Sequence, residues 1–318
     1  MKDRIVVVGG GVAGLASSLA LSYQGMGVLL IDRNFQLGGR TIDYSCKAEQ
    51  VCVNCGVCEA HYLARRVQES SKIEIWLRTD LLAITEEEKG NYLIKTSGLN
   101  KSSLSGFRAV IDARGGCSFP AEAVPEYGYK RYPGIITNHD LEQIWKDPDV
   151  ARGWMQTKRR LAFIQCVGSR TRKAEGNSSC SRYCCRAALR WANKLCQISP
   201  EVVIDIYHMG LNVTNDDLQT ISGEERIRLR RGLPAQAYAL RQRLFLLRER
   251  ASADSKAEEE YDAVILSIGL KPLPVIIDSQ PGIFSCGSVR EPGDIFQAIR
   301  AGEVTAGQVI QYCRYQER

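Results

Sequence analysis

Short apolar runs rich in β-branched residues, each closed by glycine, recur along the chain and mark strands. The first is Ile5 to Val8, followed at once by Gly9-Gly10-Gly11-Val12-Ala13-Gly14 and a small-residue run at helical spacing to Leu21. "GVLLIDR", ending in Asp32-Arg33, and "AVIDARGG", Ala109 to Gly116, repeat the pattern of a buried strand meeting a turn. Later come "RLAFIQCVGSR", "EVVIDIYHMG" and "YDAVILSIGLKP", and finally "GIFSCGSVREPGDIFQAIRAGEVTAGQVI", a strand, a glycine turn and a helix. This alternation of strand and helix predicts an α/β chain.

Length and composition narrow the picture. With 318 residues and 44% hydrophobic content, two modest domains can each bury a core, which excludes a disordered or fibrous chain. The N-terminal stretch has basic residues before an apolar run, as a signal peptide does, but its glycines fit a strand and turn better. No other run is apolar and long enough to span a bilayer, so a cytoplasmic protein is expected. The net charge of +6 is mild, although eight arginines fall between Arg226 and Arg250. A solvated face is the expectation there, an acidic partner protein the alternative. Nucleic acid is not expected, because no stacking or groove-reading motif accompanies the charge.

The glycines after the first strand have a role each. Gly9 permits the tight turn, Gly11 lets a pyrophosphate approach the helix N-terminus, and Gly14 allows close strand–helix packing. Asp32 closes the second strand, where a ribose hydroxyl would be bound, and Gly38-Gly39-Arg40 follows as a backbone approach suited to a flavin pyrophosphate. FAD is therefore the expected cofactor. Its predicted contacts are Gly9, Gly11, Val12, Ala13, Gly14, Asp32, Arg33, Gly38, Gly39, Arg40, Ala113 and Gly115, with Gly287, Ser288, Asp294 and Ile295 from the C-terminal segment. That last segment resembles the flavin-contacting end of thioredoxin-reductase-like flavoproteins, with Ser288 standing where those proteins usually have Asp. The same resemblance implies an FAD-binding Rossmann domain over about residues 1–155 and 260–318, with a second Rossmann-like domain inserted at 156–259. "YDAVILSIGLKP" is expected to return to the first domain. "RLAFIQCVGSR" lacks any GxGxxG or GxGxxA spacing, so no phosphate cradle for NAD(P)H is specified there.

Twelve cysteines are unevenly placed. Cys166, Cys180, Cys184 and Cys185 form one group, and soft thiolates favour an iron–sulfur cluster or zinc, although adjacent ligands are unusual for zinc. Buried structural cysteines are the plain alternative, against which the surrounding Ser, Arg and Asn speak. Cys46, Cys52, Cys55 and Cys58 form the second group, whose two-residue spacings match part of a ferredoxin motif; a redox dithiol, zinc or free thiols stay open. Cys117, Cys196, Cys286 and Cys313 are isolated and expected to be structural. No general acid or base is evident, so no catalytic residue is assigned.

"FIQCVGSR…CSRYCC", "EYGYKRYPGIITNHDLEQIW" and "GSVREPGDI" together resemble the FAD-binding A subunits of heterodisulfide reductases. The resemblance implies a [4Fe–4S] cluster on Cys166, Cys180, Cys184 and Cys185 and an electron-transfer role beside FAD. It further implies iron–sulfur partner subunits and a homodimer. The ferredoxin modules C-x2-C-x2-C-x3-C-P of the larger subunits are missing here. In that respect the chain resembles the short A subunits of heterodisulfide-reductase-like complexes in sulfur-oxidising prokaryotes, which implies a lipoate-binding protein as a further partner. A second [4Fe–4S] at Cys46, Cys52, Cys55 and Cys58 is also expected. Three alternatives remain: an NAD(P)H-dependent disulfide oxidoreductase using the second group as its dithiol, the flavin-binding A subunit of a quinone-interacting oxidoreductase, and a non-catalytic assembly subunit whose clusters are structural.

Overall fold

The computed structural model describes residues 4–88, 90–172, 176–241, 243–249, 256–276 and 280–316. They divide into two compact units: Met1–Ile42, Gly56–Cys117 and Pro272–Arg318 form the first, Asp43–Cys55 and Ser118–Lys271 the second.

The first unit is built on a parallel sheet in the order Ile283–Ser285, Ala109–Asp112, Arg4–Val8, Gly27–Ile31, Ile73–Trp76. Side chains alternate across a strand, so each run of apolar residues feeds two cores. Ile5, Val7, Val28 and Leu30 pack with Leu15 and Leu19 of helix Val12–Tyr23 and with Ala306 and Val309 of helix Ile295–Gln316. Val6, Val8, Leu29 and Ile31 pack with Tyr92, Ile94 and Phe107 of a three-stranded antiparallel sheet, Thr79–Glu88, Asn91–Gly98 and Ser103–Phe107. The two long helices meet at Gly302, where a Cβ would lie 2.2 Å from the Ala13 carbonyl oxygen.

The second unit follows the same plan. Its parallel sheet runs Ile227–Arg231, Val203–His208, Arg160–Val167, Ala263–Ile268, Ile135–Thr137. Leu161, Phe163, Ile204 and Ile206 pack with Leu189, Trp191 and Leu195 of helix Cys184–Ile198. Ala162, Ile164 and Leu266 pack instead with Ala237, Leu244 and Leu246 of the antiparallel strands Gln236–Leu240 and Arg243–Glu249, which continue into Lys256–Tyr261.

Two sequence expectations change. The strand in "YDAVILSIGLKP" pairs with Arg160–Val167 and with Ile135–Thr137 inside the second unit, and does not join the first sheet. The pairing carries residues 118–155 and 260–271 into that unit, so the division expected at 155 and 260 shifts, and residues 43–55 move with them. The arginine run is also not a bare solvated face. Arg228 and Arg230 bind Asp205, which is fully buried and lies opposite Arg228 in the strand register. Arg226 pairs with Glu224, Arg243 with Glu260 and Arg248 with Glu259. Arg250 lies outside the described residues.

Candidate cofactor and metal sites

The dinucleotide turn of the first unit is held by backbone contacts that only glycine permits. Gly9 has φ +110°, and a Cβ there would lie 2.4 Å from the Ala113 carbonyl oxygen; at Gly14 it would lie 1.9 Å from the Gly9 carbonyl oxygen. At Gly11, in contrast, a Cβ would meet nothing within 4 Å, and the same holds at Gly115. Gly11 caps helix Val12–Tyr23 without any side-chain hydrogen bond, so the amides of its first turn are left for a ligand. Gly38 and Gly39 both have positive φ, and the Gly38 N–H donates to the Gly10 carbonyl at 2.8 Å, drawing the two glycine turns together. Arg40 lies in the short helix Gly39–Asp43, while Arg33 is exposed.

Asp32 is buried, and one carboxylate oxygen accepts the Gly10 N–H while the other accepts the Asn34 N–H at 2.7 Å. It braces the turn through these two bonds. Asp112 is buried and bound by the Arg114 guanidinium at 2.9 and 3.0 Å, a pairing the sequence did not single out. Gly287 has φ +68° and faces Ala13, where a Cβ would come within 2.6 Å; Ser288 follows it in the short helix Gly287–Val289. Asp294 and Gln297 cap helix Ile295–Gln316 reciprocally, the Asp294 N–H donating to Gln297 Oε1 at 3.0 Å and the Gln297 N–H to Asp294 Oδ1 at 2.8 Å. Ile295 is buried as the first residue of that helix. Cys286, Cys196 and Cys313 are buried, and burial pushes the Cys286 thiol up to about 12; Cys117 is exposed.

In the second unit the equivalent turn is rebuilt. A Cβ at Gly168 would fall 2.0 Å from the Phe119 ring, and one at Gly269 would fall 1.8 Å from Ser169 Oγ. Residues 168–183 then intervene before the helix Cys184–Ile198 begins.

The first cysteine group gathers around this rebuilt turn. Cys166 sits at a break in strand register between Ile164 and Val167, with φ +61°, a left-handed conformation rarely adopted by a residue with a side chain. Cys184 and Cys185 are the first two residues of their helix, which has no side-chain cap and no acid in its first turn, so the positive end of its dipole faces both thiols. Cys180 Sγ accepts the Arg182 N–H at 3.3 Å and a long hydrogen bond from Asn212 Nδ2 at 3.7 Å. Each thiol of the set lies within electrostatic reach of the others. Burial is the main cause of upward shifts at Cys166, Cys184 and Cys185; Cys185 reaches about 11.

The second cysteine group is divided. Cys46, Cys52 and Cys55 belong to the second unit, whereas Cys58 lies on helix Val57–Glu69 of the first. The loop bearing the first three is tied down inside its unit. Lys47 forms a buried ion pair with Glu142 at 2.6 Å, Glu142 accepts the Ser45 N–H at 2.8 Å and Trp191 Nε1 at 3.0 Å, and Lys194 Nζ donates to the Cys46 carbonyl at 2.8 Å. These anchors carried no motif by which sequence could reveal them. Among the described residues, no three Cys, His, Asp or Glu side chains are drawn to the spacing of one metal ion's ligands. A cluster binds each thiolate through a different iron, and so suits a wider set than a single ion does.

Comparison with known proteins fits this picture. Residues 7–74 match the model of an NAD(P)-binding Rossmann-like domain. The chain is 29% identical to the A subunit of the ferredoxin/F(420)H(2)-dependent CoB-CoM heterodisulfide reductase of Methanosarcina acetivorans, over 82% of this chain and 34% of that protein. It is 30% identical to the A subunit of the ferredoxin:CoB-CoM heterodisulfide reductase of Methanosarcina mazei, over 70% of this chain and 26% of the relative. The chain thus spans about a third or less of the length of these two relatives. In fold it is similar to the thioredoxin reductase of Lactococcus lactis, with a TM-score of 0.66 at 17% identity over 98% of this chain and 99% of the other. The chain is therefore a relative of the heterodisulfide reductase A subunits, oxidoreductase subunits by name, built on the thioredoxin reductase fold.

Proposed function

We propose that this chain is an FAD- and [4Fe–4S]-carrying electron-transfer subunit of a heterodisulfide-reductase-like complex. The observation that carries the reading is the cysteine set Cys166, Cys180, Cys184 and Cys185, gathered between the end of the strand Arg160–Val167 and the start of the helix Cys184–Ile198. FAD is assigned to the first unit, where the uncapped helix after Gly11 would meet the pyrophosphate and Gly38, Gly39, Ala113, Gly115, Gly287 and Ser288 would line the remainder. Bound FAD couples a two-electron donor to one-electron carriers, and the thiolates would hold the first such carrier. This chain's own contribution is to keep both groups fixed, bury them and supply N–H donors around them.

Cys46, Cys52, Cys55 and Cys58 are proposed as a second cluster site. Iron–sulfur subunits, a lipoate-binding protein and a second copy of this chain are the proposed partners, in a cytoplasmic complex of sulfur oxidation. The NAD(P)H-dependent disulfide oxidoreductase is disfavoured because no GxGxxG or GxGxxA spacing follows the strand Arg160–Val167. Replacing Cys184 with alanine tests the reading: anaerobically prepared C184A should lose the iron of this site and keep stoichiometric FAD. Iron content equal to that of the parent protein would refute the assignment.

A further inference from the structure

After the strand Val203–His208 the chain turns through Gly210 to Asn212. In a dinucleotide-binding unit the end of the second strand is where the adenosine ribose is read. Here the turn meets the cysteine set instead. The Asn212 side-chain amide donates to Cys180 Sγ at 3.7 Å. The turn is itself tied to the Cys166 end of the site, because Arg170 Nη1 donates to the Gly210 carbonyl at 3.1 Å and the same guanidinium bonds the Cys166 thiol. Asn212 thus touches the Cys180 sulfur from a segment that contributes none of the four cysteines. It is exposed, so its replacement leaves both cores intact.

We infer that Asn212 is a positioning residue which tunes the cluster at Cys166, Cys180, Cys184 and Cys185 by N–H donation to sulfur, the ribose-reading turn having been reused as the outer wall of a metal site. The inference rests on the proposed cluster. Donors to sulfur stabilise the reduced, more negative cluster and raise its reduction potential. The side-chain donor is lost in Asn212→Leu and kept in Asn212→Gln. The measurement is an EPR-monitored redox titration of the anaerobically reconstituted protein, with iron and flavin quantified in each sample. The expected result is a cluster potential shifted to more negative values in N212L, returned toward the parent value in N212Q, and a flavin potential unchanged in both. Loss of iron in N212L with retention in N212Q would support the same role. Identical cluster potentials and iron contents in all three proteins would overturn it. Absence of iron from the parent protein would instead refute the cluster reading beneath it.

Discussion

Cys166 shows most clearly how one residue departs from the rules of its surroundings. A non-glycine residue in the left-handed region costs on the order of 1–3 kcal/mol, and such strain persists where the neighbouring structure enforces it. Glycine would relieve that strain, whereas alanine would keep it. Iron-free Cys166→Gly is therefore expected to be more stable than iron-free Cys166→Ala by about 1 kcal/mol in chemical denaturation, while both fail to bind iron. Equal midpoints would mean that the backbone at this position is relaxed. The glycine contacts of the first unit were legible in sequence because each follows from a strand, a turn and a helix in fixed order. The left-handed Cys166 was not, since nothing local announces a break in register that depends on the partner strand Ala263–Ile268.

At the scale of elements, the cysteine loop at 43–55 and the helix Cys184–Ile198 form one construction. The helix carries two thiols at its start, and farther along Arg190 donates to the Asn54 carbonyl while Lys194 donates to that of Cys46. The buried Lys47–Glu142 pair fastens the same loop. Removing one member of a buried pair leaves its partner uncompensated, at a cost of about 3–5 kcal/mol. Glu142→Gln is expected to lose a comparable amount of stability, with faster amide hydrogen exchange concentrated at 43–55. Exchange unchanged in that loop would show that the pair does not anchor it. Sequence reading identified the helix and both cysteine groups, but not this fastening. Lys47 and Glu142 lie far apart in the chain, and each alone looks like an ordinary surface charge.

Across the chain the two units repeat one plan, a parallel sheet packed on a helix and on antiparallel strands, and the second carries the cysteine set after its strand Arg160–Val167. Its stability also leans on charge. Burial works against ionisation of Asp205, yet hydrogen bonds from Arg230, Arg228 and Tyr261 outweigh it and hold the carboxyl below its usual range. Because the folded-state value is the lower one, this contribution is complete above the unfolded carboxylate range and is lost as pH falls through the folded value. Asp205→Asn should therefore lower stability by about 3 kcal/mol at neutral pH and by progressively less in acid. A pH-independent difference would contradict the network. The run of arginines was visible in sequence, but not its partners, which come from other strands and appear only once the sheet is assembled.

Whether the chain holds a cluster beside FAD is read from anaerobic quantitation of iron, sulfide and flavin, with EPR of the reduced protein, for the parent chain and C184A side by side. At least about four irons per FAD are expected in the parent, with a reduced-cluster signal that disappears in C184A while the flavin stays. Iron beyond four would come from the Cys46–Cys58 group. A parent protein that binds FAD but no iron under these conditions would rule out the cluster.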